Sequence, residues 1–266
     1  MLDYHPSSDL LKNKVILVTG AGDGIGRQAA LSFGAHGATV VLLGKTVKKL
    51  EAVYDELLAQ GSPEPAIIPL DLQGATKQNY LDMTATLRQQ FGRLDGVLFN
   101  AGQLGALGPF EMIGEDEWDK VMQVNVKSQM LMTQALLPLL KDSKPASIVY
   151  TSSGVGKRGR AYWGSYAISK FATEGMMQVL AAELADSGVR ANCINPGATR
   201  TGMRARAYPA EAPSSLRTPA EIMGPYLYLM GDDSLSVNGQ SIDAQGDRVA
   251  QTAQPRAQAD SQGKIG

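Results

Sequence analysis

Residues 15–26 read Val-Ile-Leu-Val-Thr-Gly-Ala-Gly-Asp-Gly-Ile-Gly, an apolar run that passes directly into a glycine-rich loop. The run predicts a buried strand, because β-branched residues favour extended backbone and residues 15–18 carry no polar side chain. From Gly24 to His36 the apolar residues follow a helical period instead. A strand, a glycine loop and a helix in this order predict one βα unit whose helix begins inside the loop.

The same alternation of short apolar runs and longer helical patterns continues along the chain. Strands are predicted at residues 15–19, 39–43, 66–69, 96–100, 147–152, 190–195 and 241–243. Helices are predicted at residues 24–36, 47–60, 76–91, 115–141 and 166–187. Strands that alternate with helices form parallel sheets, and continuously apolar strands are buried on both faces. The pattern therefore predicts a single-domain, Rossmann-type α/β fold, a doubly wound parallel sheet of about seven strands with helices on both faces.

The end of the chain differs in composition from the rest. Residues 246–266 are rich in Gln, Ala, Asp, Arg, Gly and Ser and show no apolar periodicity. Such a segment cannot offset its ordering entropy by burying apolar surface. We therefore expect one folded domain over residues 1–245 and a flexible polar tail over residues 246–266, with a partner-binding segment as the alternative for the tail.

The composition excludes several classes of protein. With 25 basic and 26 acidic residues the net charge is −1, which gives no general attraction for nucleic acid or an anionic membrane. One cysteine and two histidines are too few for an internal disulfide or a structural zinc site. No apolar run is long enough to cross a bilayer, and the N-terminus lacks the apolar segment of a signal peptide. We expect a metal-free, cytoplasmic protein with neither nucleic acid nor membrane as partner.

The glycine loop has the spacing Thr-Gly-x-x-x-Gly-x-Gly. Free amides at the start of the helix can bind a pyrophosphate, and the missing side chains permit a close approach. The loop lacks the Gly-Lys-Ser/Thr ending of a nucleoside-triphosphate P-loop, and the residue at position 25 departs from a strict G-x-G-x-x-G. We assign cofactor contacts to Gly20, Asp23, Gly24, Ile25 and Gly26. The alternative is a tight turn that needs glycine only for its backbone conformation.

The end of the second predicted strand decides which dinucleotide would fit. An acidic residue there would accept hydrogen bonds from a free ribose 2′-hydroxyl, but the sequence has Lys45 near this position. A lysine can pair with a 2′-phosphate, which favours NADP and leaves NAD possible. Asp23 opposes this preference because a carboxylate repels a phosphate. The alternative for Lys45 is a solvated side chain beside Lys48 and Lys49.

Tyr166 and Lys170 are four residues apart in a predicted helix, so their side chains share a face. A nearby ammonium lowers the pKa of a phenol, and the effect is large enough for general acid–base chemistry only if the pair is partly desolvated. The spacing alone is weak, since some Tyr-x-x-x-Lys arises by chance with a probability of about 0.4 in such a chain. Ser153, at the end of a predicted strand, could hydrogen-bond a substrate oxygen or could be an ordinary turn serine.

Taken in order, these motifs resemble the classical short-chain dehydrogenase/reductase superfamily over about residues 12–245. The resemblance implies hydride transfer between a nicotinamide and a carbonyl or hydroxyl carbon of a small organic substrate. It implies that Tyr166 exchanges the proton, that Lys170 lowers its pKa and binds the ribose, and that Ser153 polarises the substrate oxygen. Asn125 matches the helix asparagine that holds a proton-relay water.

The resemblance also implies further cofactor contacts. The matching positions are Asp71 and Leu72 beside the adenine, Asn100, Ala101 and Gly102 after the fourth strand, and Pro196, Gly197, Thr199 and Thr201 around the nicotinamide. A homodimer or homotetramer is implied as well, and apolar residues around 122–140 and 176–184 are consistent with one, although the sheet could equally cover them.

Two segments depart from the family pattern. Residues 238–245 lack the Asp-Gly-Gly that many members carry after the last strand, and residues 202–219 form a short substrate lid. Four arginines lie in or just before that lid: Arg200, Arg204, Arg206 and Arg217. They suggest either bidentate binding of an anionic substrate or a solvated, mobile loop.

Two other classes of protein fit the sequence less well. A cofactor-binding sensor without turnover would have no need of the acid–base residues. A serine hydrolase is disfavoured because no G-x-S-x-G occurs and His5 and His36 both lie early in the chain.

Overall fold

Seven parallel strands form one sheet in the computed structural model, which describes residues 4–246. The order across the sheet is β3-β2-β1-β4-β5-β6-β7. The strands are β1 (Val15–Thr19), β2 (Thr39–Gly44), β3 (Ala66–Pro69), β4 (Gly96–Phe99), β5 (Ala146–Thr151), β6 (Val189–Asn195) and β7 (Ser241–Asp243). This confirms the doubly wound α/β fold. The predicted tail lies outside the described residues, apart from Gly246.

Strand β1 shows why the sequence lacks the polar and apolar alternation of a half-exposed sheet. Val15 and Leu17 pack into the core on one face, whereas Ile16 and Val18 pack into the core on the other. Successive side chains of a strand point to opposite faces, so both sets must be apolar when helices cover both faces.

Residues 4–246 form eight α-helices. They are α1 (Gly24–Ala35), α2 (Val47–Ala59), α3 (Lys77–Phe91), α4 (Glu115–Met122), α5 (Ser128–Asp142), α6 (Gly164–Glu183), α7 (Gly202–Ala207) and α8 (Met223–Met230). Helices α3, α5 and α6 cover one face, and α1, α2 and α8 cover the other. Among the described residues, no helix has the length and apolar character needed to span a bilayer.

The predicted helix at 115–141 is divided in the structure. A π-helical segment, Gln123–Lys127, separates α4 from α5 and contains Asn125. Apolar periodicity does not mark such a segment, because the π-helical turn interrupts the 3.6-residue period over only five residues. Helix α6 begins two residues earlier than predicted, and the lid contains α7 where sequence patterns gave no helix.

The order of the strands determines where a ligand-binding site can form at the edge of the sheet. The chain runs from β1 outward to β3, then crosses back to β4 and runs outward in the opposite direction. The carboxyl ends of β1 and β4 therefore form the topological switch point, where open α/β sheets bind ligands. The Thr19 hydroxyl joins the two ends, since it accepts hydrogen bonds from the backbone amides of Asn100 at 2.9 Å and Ala101 at 3.0 Å.

Candidate active site

A cleft of about 760 Å³ opens at the switch point. Its lining includes seven residues that the sequence predicted for cofactor binding: Gly20, Asp23, Lys45, Asp71, Leu72, Ala101 and Gly102. Leu43, Leu50 and Leu70 add apolar walls between the ends of β2 and β3. A volume of this size is typical of small-ligand sites.

The glycine loop has the conformation that a phosphate cradle needs. Gly20 and Gly24 have φ of 66° and 53°, in the left-handed region that favours glycine. Asp23 caps α1 by accepting a hydrogen bond from the Gly24 amide at 2.7 Å. At Gly26, a Cβ atom would stand 2.3 Å from the Gly20 carbonyl oxygen and 2.5 Å from Asn100 Nδ2. Gly26 thus lets α1 pack directly on the loop, whereas the Ile25 side chain packs against the core.

Gly26→Ala is expected to lower the melting temperature and to weaken the affinity for a dinucleotide by at least about tenfold. The reason is that the new methyl group would displace the Gly20 backbone. Gly175 provides a matched control, since it also lies in a helix and a Cβ there would meet nothing within 4 Å. Gly175→Ala should raise the free energy of unfolding by about 0.5–1 kcal/mol and leave binding unchanged. Isothermal titration and thermal unfolding of both variants check this, and equal affinities would refute the packing argument.

Lys45 lies where the ribose end of a dinucleotide would meet β2, and it lines the cleft. The repulsion expected from Asp23 is offset, because Lys49 on α2 donates a hydrogen bond to its carboxylate. That ammonium also holds the pKa of Asp23 below its usual range. Lys49 therefore lines the cleft as the ion-pair partner of Asp23.

Tyr166 and Ser153 meet next to this cleft. Tyr166 lies in the first turn of α6 and is 8% exposed, and Ser153 follows the end of β5. Burial raises the pKa of Tyr166 to about 12, and the neighbouring Ser153 side chain acts in the opposite direction. Burial of the phenol thus has a larger effect on its pKa than its neighbouring side chains have.

Lys170 is buried one turn further along α6. Its ammonium donates a hydrogen bond to the Thr151 carbonyl at 2.7 Å and lies 5.5 Å from the centroid of the Tyr166 ring. Burial lowers the pKa of Lys170 to about 8. A Cβ atom on Gly156 would stand 2.8 Å from Lys170 Cβ and 2.9 Å from its backbone carbonyl. Gly156 therefore lets the turn after β5 pack tightly on α6 and fix the lysine.

Asn125 is fully buried and connects the cleft to α6. Its Oδ1 accepts a hydrogen bond from the Gln103 amide at 2.7 Å, and its Nδ2 donates to the Gln103 carbonyl and to Ser169 Oγ, each at 2.9 Å. The Ser169 hydroxyl donates in turn to the Tyr166 carbonyl at 2.7 Å. In this structure the Asn125 side chain thus positions the loop after β4 against α6.

The loop after β6 is held from the end of the chain. Gln245 Nε2 donates hydrogen bonds to the carbonyls of Pro196 and Ala198, each at 2.9 Å, and to Thr199 Oγ1 at 3.2 Å. Gly197 has a φ of 69° and packs against the same glutamine. The Thr199 hydroxyl is thus engaged inside the loop. Gln245 supplies a support that the missing Asp-Gly-Gly had left undefined.

The lid is ordered by its own side chains. Arg204 forms two hydrogen bonds of 2.6 Å with the Glu211 carboxylate and stacks 3.7 Å from the Tyr208 ring centroid. Trp163 lies 5.8 Å from both the Tyr166 and the Tyr208 rings, measured between centroids. An aromatic column thus runs from Tyr166 to Tyr208 in the lid, and Arg204 forms an internal ion pair.

Sequence patterns missed several residues that line the cleft, among them Gly22, Thr46, Lys49, Gln73, Gln103, Glu117 and Arg206. Most follow directly on residues that were found, and the rule that loops after parallel strands converge could have extended the set. Lys49 gave no such signal, because it reaches the cleft from α2, and Arg206 was noted only as one of four lid arginines. Taken together, the fold and site define a doubly wound α/β protein with an acid–base pair beside a glycine-lined cleft.

A family model described as short chain dehydrogenase matches residues 14–212. Oxidoreductase YciK of Escherichia coli (strain K12) is 51% identical over 244 residues, which span 92% of this chain and 96% of that protein. The structure of a short chain dehydrogenase from Pseudomonas syringae is 53% identical with a TM-score of 0.88, covering 92% of this chain and 100% of that one. Another from Shigella flexneri, complexed with NADP, is 51% identical with a TM-score of 0.88, covering 90% and 100%. The chain belongs to the short chain dehydrogenase family of oxidoreductases.

Proposed function

We propose that this protein transfers a hydride between NADP(H) and a carbonyl or hydroxyl carbon of a small organic substrate, with Tyr166 as the acid–base group. The observation that carries the proposal is the position of Tyr166, Ser153 and Lys170 at the same sheet edge as the glycine-lined cleft. The residues fit a dinucleotide, since glycines stand where a Cβ would clash and a helix N-terminus opens at the loop. NADP(H) would supply the hydride chemistry, and the protein would supply orientation and proton transfer.

The side chains divide the proton chemistry among them. Ser153 and Tyr166 would both hydrogen-bond the substrate oxygen, and the Tyr166 hydroxyl would donate its proton to that oxygen in carbonyl reduction. A phenol that stays protonated at neutral pH suits this donor role. The Lys170 cation would stabilise the phenolate left behind, and Asn125 would hold the loop and helix in register. We also propose that the cofactor contacts the other residues for which the sequence predicts cofactor binding, and that it contacts Tyr166 and Lys170.

Lys45 supports NADP as the preferred dinucleotide. It lies in the cleft just after β2, at the position where an acidic residue would accept a hydrogen bond from a free ribose 2′-hydroxyl. The carboxylate of Asp23, which also lines the cleft, is paired with Lys49. The relative from Shigella flexneri, whose structure is a complex with NADP, is consistent with this preference. NAD remains a possible second cofactor.

Lys45→Ala is expected to raise the Kd for NADPH by about tenfold or more and to leave the Kd for NADH within twofold, because only the 2′-phosphate loses a charge-assisted partner. Lys48→Ala is the matched control, as an exposed lysine of α2 outside the lining of the cleft. Fluorescence titration measures all four affinities. An equal loss for both dinucleotides, or tighter binding of NADH by the wild type, would refute the role of Lys45.

A turnover screen tests the function as a whole. Absorbance at 340 nm is followed with NADPH and a panel of ketones, and with NADP and the matching alcohols. We expect turnover of at least one compound. Tight NADPH binding without any turnover would favour the sensor, which the buried Tyr166–Lys170 pair otherwise disfavours.

We also propose an assembly and a cellular location for the protein. Exposed apolar side chains of α5 and α6, among them Met130, Ile168, Phe171 and Val179, are consistent with a homodimer or homotetramer. A cytoplasmic location agrees with a cysteine, Cys193, that is free and buried. The partners we propose are a small-molecule carbonyl or alcohol substrate and further copies of this chain.

A further inference from the structure

One cation of the lid lies apart from the lid's own interactions. Arg204 and Arg206 both belong to α7, but two residues rotate a helix by about 200°, so the two side chains leave from opposite sides. Arg204 is held by Glu211 and Tyr208. Arg206 is exposed and lines the dinucleotide cleft. Within residues 4–246, no carboxylate forms an ion pair with Arg206.

Helix α7 is held at both ends in the position that aims Arg206 at the cleft. At its start, Thr201 caps the helix by accepting a hydrogen bond from the Arg204 amide at 3.1 Å. The Thr201 methyl group stands 3.4 Å from where a Cβ on Gly24 would be, so α7 begins directly over the glycine loop. At its end, Tyr208 accepts a hydrogen bond from Arg160 and packs beside Trp163.

Arg206 is one of two cations in the cleft lining that can meet the phosphates of a dinucleotide. Three carboxylates and three cations line the cleft: Asp23, Asp71, Glu117, Lys45, Lys49 and Arg206. Lys49 is paired with Asp23, so Lys45 and Arg206 are the cations that can meet the phosphates of a dinucleotide. Lys45 lies at the ribose end. Arg206 follows Thr201 by five residues, about 7.5 Å along the helix axis from the glycine loop.

We propose that Arg206 binds the pyrophosphate of the dinucleotide, so that the substrate lid closes on the cofactor through this side chain. The proposal rests on the proposed function, since it requires that the cleft bind NADP(H). A guanidinium can bridge phosphate oxygens with two parallel hydrogen bonds, which suits a group shared by NADP and NAD.

The test is a set of affinities. Kd values for NADPH, NADH and ADP-ribose are measured with the wild type, Arg206→Ala and Arg158→Ala, which removes an exposed arginine outside the cleft lining. Arg206→Ala is expected to raise all three Kd values by about tenfold and to weaken their dependence on salt, because the pyrophosphate is common to the three probes. Arg158→Ala should change none of them. Thermal unfolding of Arg206→Ala should match the wild type, since the side chain is exposed.

Three results would overturn the proposal. Unchanged affinities in Arg206→Ala would show that the guanidinium does not touch the cofactor. A loss confined to NADPH would place Arg206 at the 2′-phosphate instead. A loss for both intact dinucleotides that spares ADP-ribose would place it at the nicotinamide end. If the wild type bound none of the probes, the proposed function itself would fail, which is a distinguishable outcome.

Discussion

Tyr166→Phe is expected to lower kcat on the order of 10³-fold, while the Kd for NADPH stays within twofold of the wild type. The substitution removes only the hydroxyl that would donate the proton, and general acid–base groups contribute typically 10²–10⁴-fold to the rate. The ring is retained, so its packing against Trp163 and beneath Lys170 is unchanged. Steady-state kinetics and fluorescence titration of the same preparation measure both effects.

Tyr162→Phe is the matched control for this variant. Tyr162 lies four residues before Tyr166, is 64% exposed, and loses the same hydroxyl on substitution. Its kcat should equal that of the wild type. Activity that survives in Tyr166→Phe, or that falls equally in both variants, would contradict the assignment of Tyr166 as the acid–base group.

Lys170→Met is expected to lower kcat by about 10²-fold or more and to raise the Kd for NADPH. Its ammonium lies 5.5 Å from the centroid of the Tyr166 ring, and without it the buried phenolate formed by proton transfer would lose the cation that α6 places beside it. The fold should be preserved. Burial lowers the pKa of Lys170 from its ordinary value, which means that the buried charge itself opposes folding at neutral pH. The melting temperature of Lys170→Met should therefore equal or exceed that of the wild type.

The pH profile gives Lys170 an independent signature. With a pKa of about 8, its cation is present below that pH and is lost above it. Carbonyl reduction by the wild type should therefore fall as the pH rises through about 8. Lys170→Met should lack this decrease, whereas Lys141→Met, at an exposed lysine of α5, should keep it. A decrease near pH 8 that persists in Lys170→Met would assign it to another group.

The fold could be predicted because its signals are local and repeated. Each buried strand is a short apolar run, and turn-forming residues such as glycine mark where a strand passes into a helix. For this reason β1 and the glycine loop are enough to predict one βα unit. Tyr166, Lys170 and Ser153 could be found because two of them share a helix face and the third ends a strand. Strand ends moved by no more than one residue, since pairing in a buried sheet leaves little freedom.

The rest of the site depends on contacts between distant segments. Lys49 neutralises Asp23 across 26 residues, and Gln245 supports the loop at 196–199 from the far end of the fold, so neither contact leaves a pattern in the sequence. The π-helical segment around Asn125 leaves no periodic signal, and the pKa of Tyr166 depends on a degree of burial that only packing sets. The roles of the lid arginines could not be read from the sequence either, because Arg204 forms an internal ion pair whereas Arg206 lines the cleft.

Hydride transfer itself is the central claim, and an isotope label tests it most directly. The wild type is incubated with NADPH carrying deuterium at the transferred position of nicotinamide C4 and with a ketone that it turns over, and the alcohol is analysed by mass spectrometry. The predicted result is one deuterium on the carbinol carbon, formed by the wild type and on the order of 10³-fold more slowly by Tyr166→Phe. An alcohol without deuterium, or NADPH bound with no ketone reduced, would contradict the assignment of this protein as a hydride-transferring oxidoreductase.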